Sequence, residues 1–270
     1  MPHRARKRFG QNFLQDGNVI ARIINAIHPA ADQHLMEIGP GLGALTTPLL
    51  RCCASLTAVD IDRDIVSRLT RQFADQPKLS LIQADALQLD FQALIRRQTP
   101  PGAAATRWRM VGNLPYNIAT PLLFRLFAVK HLFADMHVML QKEVVERMSA
   151  APGTKPYGRL SIMTQYHCAV APLFTVSPTA FRPRPAVDSA MIRLKPHAAP
   201  PVNVDKQEHF ATLVALAFGQ RRKTLRRIFK GRLTASDYAA LAIDPQTRPE
   251  QLDLCAFAAM SNRLSRRPAT

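Results

Sequence analysis

Acidic residues are scarce in this chain. Its 270 residues include 19 Asp and Glu against 36 Lys and Arg, a formal net charge of +17 and a pI near 10.7. Solubility does not require so large an excess of one sign. A polyanionic partner accounts for it, nucleic acid first and an anionic membrane surface second. Cysteine is scarce too: Cys52, Cys53, Cys168 and Cys255 include no pair with metal-ligand spacing, and two of them are neighbours. That pattern argues against a disulfide scaffold or a cysteine-based metal module and leaves reduced, buried thiols as the expectation. No run of 18 apolar residues occurs, so no membrane span is expected. The opening MPHRARKRFGQNFLQDG is basic but lacks the apolar core of a signal peptide, and a soluble cytoplasmic chain is expected. The eight histidines contain no H-x-x-x-H or similar pair, so no metal site is expected.

Hydrophobic residues make up 47% of the sequence, enough for one good core and a smaller second one. Short apolar runs alternate with longer amphipathic ones. HLMEIG, SLTAVD, KLSLIQ, RWRMVGN and MHVMLQ have strand character, and 43–51, 62–74, 90–98 and 117–130 have helix character between them. This alternation predicts βαβ units and an α/β fold: a Rossmann-like parallel sheet with helices on both faces, its strands apolar throughout because both faces are buried. QYHCAVAPLFTV and AMIRLKP predict two further strands. The Pro-rich SPTAFRPRPAVDS between them is too short for a crossover helix, so an antiparallel addition at the sheet edge is expected. KPHAAPPVNV, residues 195–204, has linker composition, and 205–270 has helical patterning, with Phe210, Leu213, Val214 and Ala217 on one face. The expected division is therefore 1–198, a nucleoside-binding catalytic domain, and 199–270, a small all-α domain.

In MEIGPGLGALT, Gly39, Gly41 and Gly43 follow a strand and precede a helix, where a sharp turn lets backbone N–H groups approach a ligand. Asp60 ends the second strand, where a carboxylate can accept hydrogen bonds from ribose hydroxyls. Asp85 follows the third in QADAL, within reach of an adenine amino group, although an Asp after a strand is more often a helix cap. Together the three positions mark the carboxyl edge of an open α/β sheet and a nucleoside ligand. A nicotinamide dinucleotide and S-adenosyl-L-methionine both satisfy this spacing.

NLPY, residues 113–116, falls after the fourth strand on the same edge. The Asn113 amide can accept and donate. Pro115 holds Leu114 extended, which can aim its carbonyl outward, and Tyr116 offers a ring for stacking. This set suits a flat heterocycle with an amino group. The amine lone pair of adenine is delocalised into its ring; two oxygens accepting the amine hydrogens favour a more tetrahedral nitrogen and turn its lone pair toward a methyl donor.

At this point the sequence resembles the small-subunit ribosomal RNA adenine N6,N6-dimethyltransferases. RKRFGQNFL, EIGPGLGALT, DIDRD, QADAL, GNLPYNIATPL, MLQKEV, YGRLS, FRPRPAVDSAMIRL and FGQRRKTLR occur in that family's order and span most of the chain. The resemblance implies S-adenosyl-L-methionine as cofactor, with Asn12 and Leu14 in a segment closing over it. It implies Gly39 and Gly41 at its methionine part, Asp60 at its ribose, and Asp85 with Ala86 at its adenine. It further implies Asn113 shared between cofactor and target, the Leu114 carbonyl beside it, Pro115 in the turn, Tyr116 stacked on a flipped base and Phe181 on that base's other face. Many relatives have Glu where this chain has Asp60, one methylene shorter, which implies a longer or water-bridged ribose contact. The implied substrate is 16S rRNA on a precursor of the small ribosomal subunit, at two adjacent adenosines of a hairpin loop near the 3′ end.

Phosphate contacts are expected from QRRKTLRRIFKGR, through Arg221, Arg222, Lys223, Arg226 and Arg227. With helical spacing these side chains would spread over more than half of the circumference. A monomer is expected. Two other readings stay open: adenine methylation of another nucleic acid, and a non-catalytic factor that binds the assembling subunit.

Overall fold

The computed structural model describes residue 6 and residues 10–99 and 107–266. Most of the basic opening, residues 1–5 and 7–9, lies outside them. In chain order the elements are β1 (Phe13–Leu14), α1 (Gly17–Ile27), β2 (His34–Ile38), α2 (Thr46–Cys52), β3 (Ser55–Asp60), α3 (Arg63–Gln72), β4 (Leu79–Gln83), α4 (Phe91–Gln98), β5 (Trp108–Asn113), α5 (Ala119–Ala128) and β6 (Phe133–Gln141). There follow α6 (Lys142–Ser149), α7 (Arg159–His167), β7 (Cys168–Val176), β8 (Phe181–Arg182), β9 (Ser189–Pro196), α8 (Gln207–Gly219), α9 (Leu225–Ile228), α10 (Ala235–Ala240) and α11 (Leu254–Ser265).

Seven strands form one sheet in the order β4-β3-β2-β5-β6-β9-β7. β2 through β6 pair in parallel, and β9 joins β6 antiparallel with β7 beside it at the sheet edge, where the antiparallel addition was expected. The central parallel strands β2, β3, β5 and β6 are buried because helices cover both faces: Leu35, Met36, Leu56, Ala58, Met110, Val111, Met136 and Val138 have almost no exposure, whereas β4 at the sheet edge is only half-buried. The helices begin on caps written locally in the sequence. Asp16, Asp62 and Asp90 each accept a backbone N–H from the first turn of α1, α3 and α4. At the amino end of β5, Trp108 is fully buried, stacks on His34 with ring centroids 5.5 Å apart, and donates to Thr99 Oγ1 at 3.2 Å.

β1 lies outside the main sheet. It pairs antiparallel with β8, Phe13 opposite Arg182 and Leu14 opposite Phe181. The Gln15 N–H also donates to the Ala180 carbonyl at 2.9 Å. Residues 10–14 are thus a strap hydrogen-bonded to the Pro-rich connection.

The chain divides into two compact units, 1–145 with 171–196, and 146–170 with 197–270. The Pro-rich linker contains the later junction. The stretch 146–170, expected in the first domain, belongs to the second unit. The reason is packing: Tyr157 donates to the Leu252 carbonyl at 2.9 Å, and the His197 N–H donates to the His167 carbonyl at 3.1 Å. The expected strand at 165–176 is corrected in the same region, because Gln165, Tyr166 and His167 complete α7 and β7 starts at Cys168. The four cysteines are free thiols; Cys53 and Cys168 are buried, Cys52 is half-buried and Cys255 is exposed. Among the described residues no helix is long and apolar enough to cross a membrane.

Candidate active site

The carboxyl ends of β2, β3, β4 and β5 bring the sequence-predicted residues to one edge of the first unit. A cavity of about 310 Å³ opens there, lined by Asn12, Leu14, Gly39, Gly41, Asp60, Asp85, Ala86, Asn113, Leu114, Pro115 and Tyr116. Register explains the convergence. Ile38 sits beside Gly112 and Val59, and Asp60 beside Gln83, so the residues that follow these strands leave the sheet at one level.

Two glycines are required by this geometry. Gly39 has φ +72°, and a Cβ on it would stand 3.3 Å from the Asn113 carbonyl oxygen. Gly112, inside β5, would place a Cβ 2.8 Å from the Ile38 carbonyl oxygen and 2.8 Å from Leu114 Cδ2. Gly112 is not among the sequence-predicted residues, although a glycine inside an apolar strand is itself a sign of close backbone approach.

The polar groups are individually held. Asp60 Oδ1 accepts the Asp62 N–H at 2.9 Å, and Asp85 Oδ1 accepts the Leu87 N–H at 2.8 Å. Asn113 Nδ2 donates to the Asn12 carbonyl at 3.1 Å. The Leu114 N–H donates to the Met139 carbonyl at 3.1 Å, which extends the ladder to β6 one residue beyond the strand end. The Tyr116 hydroxyl lies 2.7 Å from Ser189 Oγ on β9. Burial raises the Tyr116 phenol above its ordinary range, opposed by that hydrogen bond.

Glu37 also lines the cavity and is likewise not among the sequence-predicted residues. It is almost fully buried on β2 and accepts from the Thr46 hydroxyl at 2.7 Å. Burial pushes its carboxyl up to about 7, the Thr46 hydrogen bond opposes, and the Asp60 charge adds to the rise. A carboxylate inside the apolar run HLMEI is the signal that could have found it.

Phe181 does not join the cavity. Its ring is 1% exposed and packs with Leu14, Ile23, Val111, Met139 and Met191. The expected stacking face is therefore not presented, because pairing of β8 with β1 turns Phe181 into the core. The basic segment departs from its expected form as well. Only Leu225–Ile228 is helical, within a chain of turns. Arg222, Lys223, Arg226 and Arg227 are exposed, whereas Arg221 is engaged with Glu250 Oε2 at 2.6 Å and with the Lys155 carbonyl at 2.8 Å.

The cavity has the chemistry of a nucleoside site. Asp60 and Asp85 are acceptors at neighbouring strand ends, Ile61, Ala86 and Leu87 supply apolar wall, and the space beside Gly39 is one that a Cβ would narrow. S-adenosyl-L-methionine fits this donor and acceptor set, since its ribose hydroxyls and adenine amine both donate.

The family model described as ribosomal RNA adenine dimethylase matches residues 2–265. The chain is 50% identical over 263 residues to "Ribosomal RNA small subunit methyltransferase A" of Chromohalobacter salexigens, covering 97% of this chain and 92% of that one. It is 50% identical over 266 residues to the protein of the same name in Pseudomonas aeruginosa, covering 98% and 97%. A dimethyladenosine transferase from Plasmodium falciparum superposes with a TM-score of 0.75 at 24% identity over 92% of this chain and 95% of that one. The 23S rRNA methyltransferase ErmE superposes with a TM-score of 0.69 at 23% identity over 94% and 100%. These two superpositions establish the shared fold. The chain belongs to the ribosomal RNA adenine dimethylase family and is an S-adenosyl-L-methionine-dependent ribosomal RNA adenine dimethyltransferase.

Proposed function

We propose that the enzyme dimethylates N6 of two adjacent adenosines in the hairpin loop near the 3′ end of 16S rRNA. It acts as a monomer in the cytoplasm, on a precursor of the small ribosomal subunit. One observation carries the site assignment: Asn113, Leu114, Pro115 and Tyr116 line the same cavity as Gly39, Asp60 and Asp85. A nucleoside edge and an amine-recognising turn therefore share one space. The small-subunit target draws support from the curated relatives, whose names specify that subunit.

In this reading Gly39 and Gly41 offer backbone to the methionine part of the cofactor. Asp60 accepts from the ribose, Asp85 accepts from the adenine amine beside Ala86, and Asn12 and Leu14 cover the site. When bound, S-adenosyl-L-methionine supplies a methyl group on a positively charged sulfur. The target adenine leaves its stack, at little cost in a hairpin loop, and lies against the Tyr116 ring, which Ser189 holds at the hydroxyl. Asn113 Oδ1 and the Leu114 carbonyl accept the two amine hydrogens and turn the nitrogen lone pair away from the ring. Positive charge that develops on that nitrogen faces two fixed oxygens, and the proton then leaves to water. Phe181 supports this edge from beneath and does not touch the base. Arg222, Lys223, Arg226 and Arg227 hold phosphates, with Arg221 bracing their segment through Glu250.

The test is transfer of labelled methyl from S-adenosyl-L-methionine to small ribosomal subunits from cells lacking the modification, followed by nucleoside analysis. About two dimethyladenosines per particle are expected, one for each base to be placed among fixed acceptors. Asn113→Ala should still bind the particle and transfer methyl about a hundredfold or more slowly. Wild-type rates in that variant would overturn the mechanism, and label at another base or on duplex DNA would overturn the substrate.

A further inference from the structure

The strap over the cavity is fastened at both ends. On one side β1 pairs with β8. On the other, Gln11 Nε2 donates to Asp62 Oδ2 at 3.0 Å, and Arg6 Nη1 donates to Asp62 Oδ1 at 2.9 Å. Arg6 also bonds Asp64, and its backbone N–H donates to Gln11 Oε1 at 2.8 Å. Asp62 is a firm anchor. It has no exposed surface, it caps α3 through the Asp64 N–H at 3.0 Å, and its own N–H is held by Asp60. Between the two fastenings, the Asn12 carbonyl meets the side chain of Asn113.

A carbonyl oxygen only accepts. An Asn amide set against it must present Nδ2, and its Oδ1 is then directed elsewhere. The opposite orientation would set two oxygens against each other. Asn113 lines the cavity, so the Asn12 carbonyl decides which end of the amide the cavity receives. We propose that Gln11 and Asp62 form a clasp that keeps the Asn12 carbonyl on Asn113 and thereby fixes Asn113 Oδ1 as the acceptor for the target amine. The inference rests on the reading of Asn113 given above. Gln11 and Asp62 are positioning residues: they act through the strap and through Asn113. The clasp also links two halves of the reaction. The loop that carries it begins at Asp60, at the cofactor edge, while the amide it orients serves the target base.

A donor–acceptor exchange tests this. Gln11→Glu sets a carboxylate against the Asp62 carboxylate and opens the clasp. Asp62→Asn sets an amide against the Gln11 amide and weakens it. In the double variant Gln11→Glu/Asp62→Asn the bond is restored in reverse, with the amide introduced on the α3 side donating to the carboxylate introduced on the strap. Arg6 and the Asp64 N–H still find oxygen acceptors there. The net charge is the same as in the wild type.

Single-turnover methyl transfer to unmodified small subunits, with S-adenosyl-L-methionine and particle saturating, should fall about a hundredfold in Gln11→Glu, the scale of a misplaced reacting group. The double variant should return to within about threefold of wild type, as coupled neighbours do. Two readouts do not depend on turnover. Amide hydrogen exchange over residues 11–16 should accelerate in each single variant and recover in the double. Calorimetric binding of S-adenosylhomocysteine should weaken and recover in step. A wild-type rate in Gln11→Glu, or a double variant no faster than the slower single one, overturns the proposal. Recovery of exchange without recovery of rate also overturns it, since the strap would then be clasped without positioning Asn113. If the wild-type enzyme transferred no methyl to the particle, the proposed substrate would fail, while exchange and binding would still decide whether the clasp exists.

Discussion

Tyr116 carries two separable contributions, a ring face in the cavity and a hydroxyl tied to Ser189 across the end of β9. Tyr116→Phe keeps the ring and loses one hydrogen bond worth about 1 kcal/mol, so a fall in kcat of no more than about tenfold is expected. Tyr116→Ala removes the stacking surface and should cost about five to a hundred times more than that, because stacking on an aromatic ring is worth about 1–3 kcal/mol per base. Steady-state methyl transfer by the two variants side by side checks the ordering. Glu37 makes a pH argument. Its carboxyl titrates near 7 in the folded chain against an ordinary 4.5. Below 4.5 it is protonated in both folded and unfolded chains and contributes nothing to pH dependence. Between 4.5 and 7 the unfolded chain releases its proton first, so stability falls as pH rises; above 7 the loss is complete, roughly 3 kcal/mol. Glu37→Gln keeps an acceptor for Thr46 and cannot ionise. In the ligand-free protein its melting temperature should exceed that of the wild type at about pH 8 and converge with it at about pH 4, a comparison that calorimetry makes directly.

At the scale of elements, the sheet is tied at the edge opposite the cavity. The Arg109 guanidinium on β5 donates to Asp135 on β6 at 2.8 and 3.1 Å, to Gln33 at 2.8 Å, and to the Ile27 and His28 carbonyls at the end of α1. Burial pushes the Asp135 carboxyl up, but His137 and Arg109 outweigh it and hold it well below the usual carboxylate range. Asp135→Asn would leave the Arg109 charge buried without its counter-ion, and a loss of roughly 3 kcal/mol in urea unfolding is expected. The rate of methyl transfer per folded molecule should not change. Element by element, legibility followed locality. β2, β3, β5 and β6 were visible because a doubly covered strand is apolar along most of its length, and β4, half-buried at the sheet edge, was visible as a short run of its own. Gly39, Asp60, Asp85 and Asn113 were visible because each sits where such a run ends. α7 was hidden because Ile162, Met163, Thr164, Tyr166 and His167 are all buried, which erases the polar face that marks a helix. The clasp was hidden because Gln11 and Asp62 lie 51 residues apart and neither is unusual among its neighbours. The burial of Phe181 was hidden for a related reason: its exposure is set by a pairing with a two-residue strand that has no pattern of its own.

For the molecule as a whole, the excess of positive charge should govern affinity for RNA more than chemistry. Arg221 is already committed to Glu250, and the proposed phosphate contacts of its segment are the exposed Arg222, Lys223, Arg226 and Arg227. Four such contacts give a log–log salt slope of roughly −2.8 to −3.6, and Arg226→Ala should flatten it by about 0.7 to 0.9. Arg221→Ala should leave the slope unchanged and lower thermal stability instead. Binding to particle RNA across a series of potassium chloride concentrations separates the two. The sequence contains a single tryptophan, and it is Trp108, buried at the amino end of the strand whose other end carries Asn113. Five residues of strand put roughly 17 Å between them. The indole emission of this enzyme is therefore an optical gauge of whether the sheet is intact and a poor one of what fills the cavity. A fluorescence spectrum can certify each active-site variant as folded before any methyl is counted.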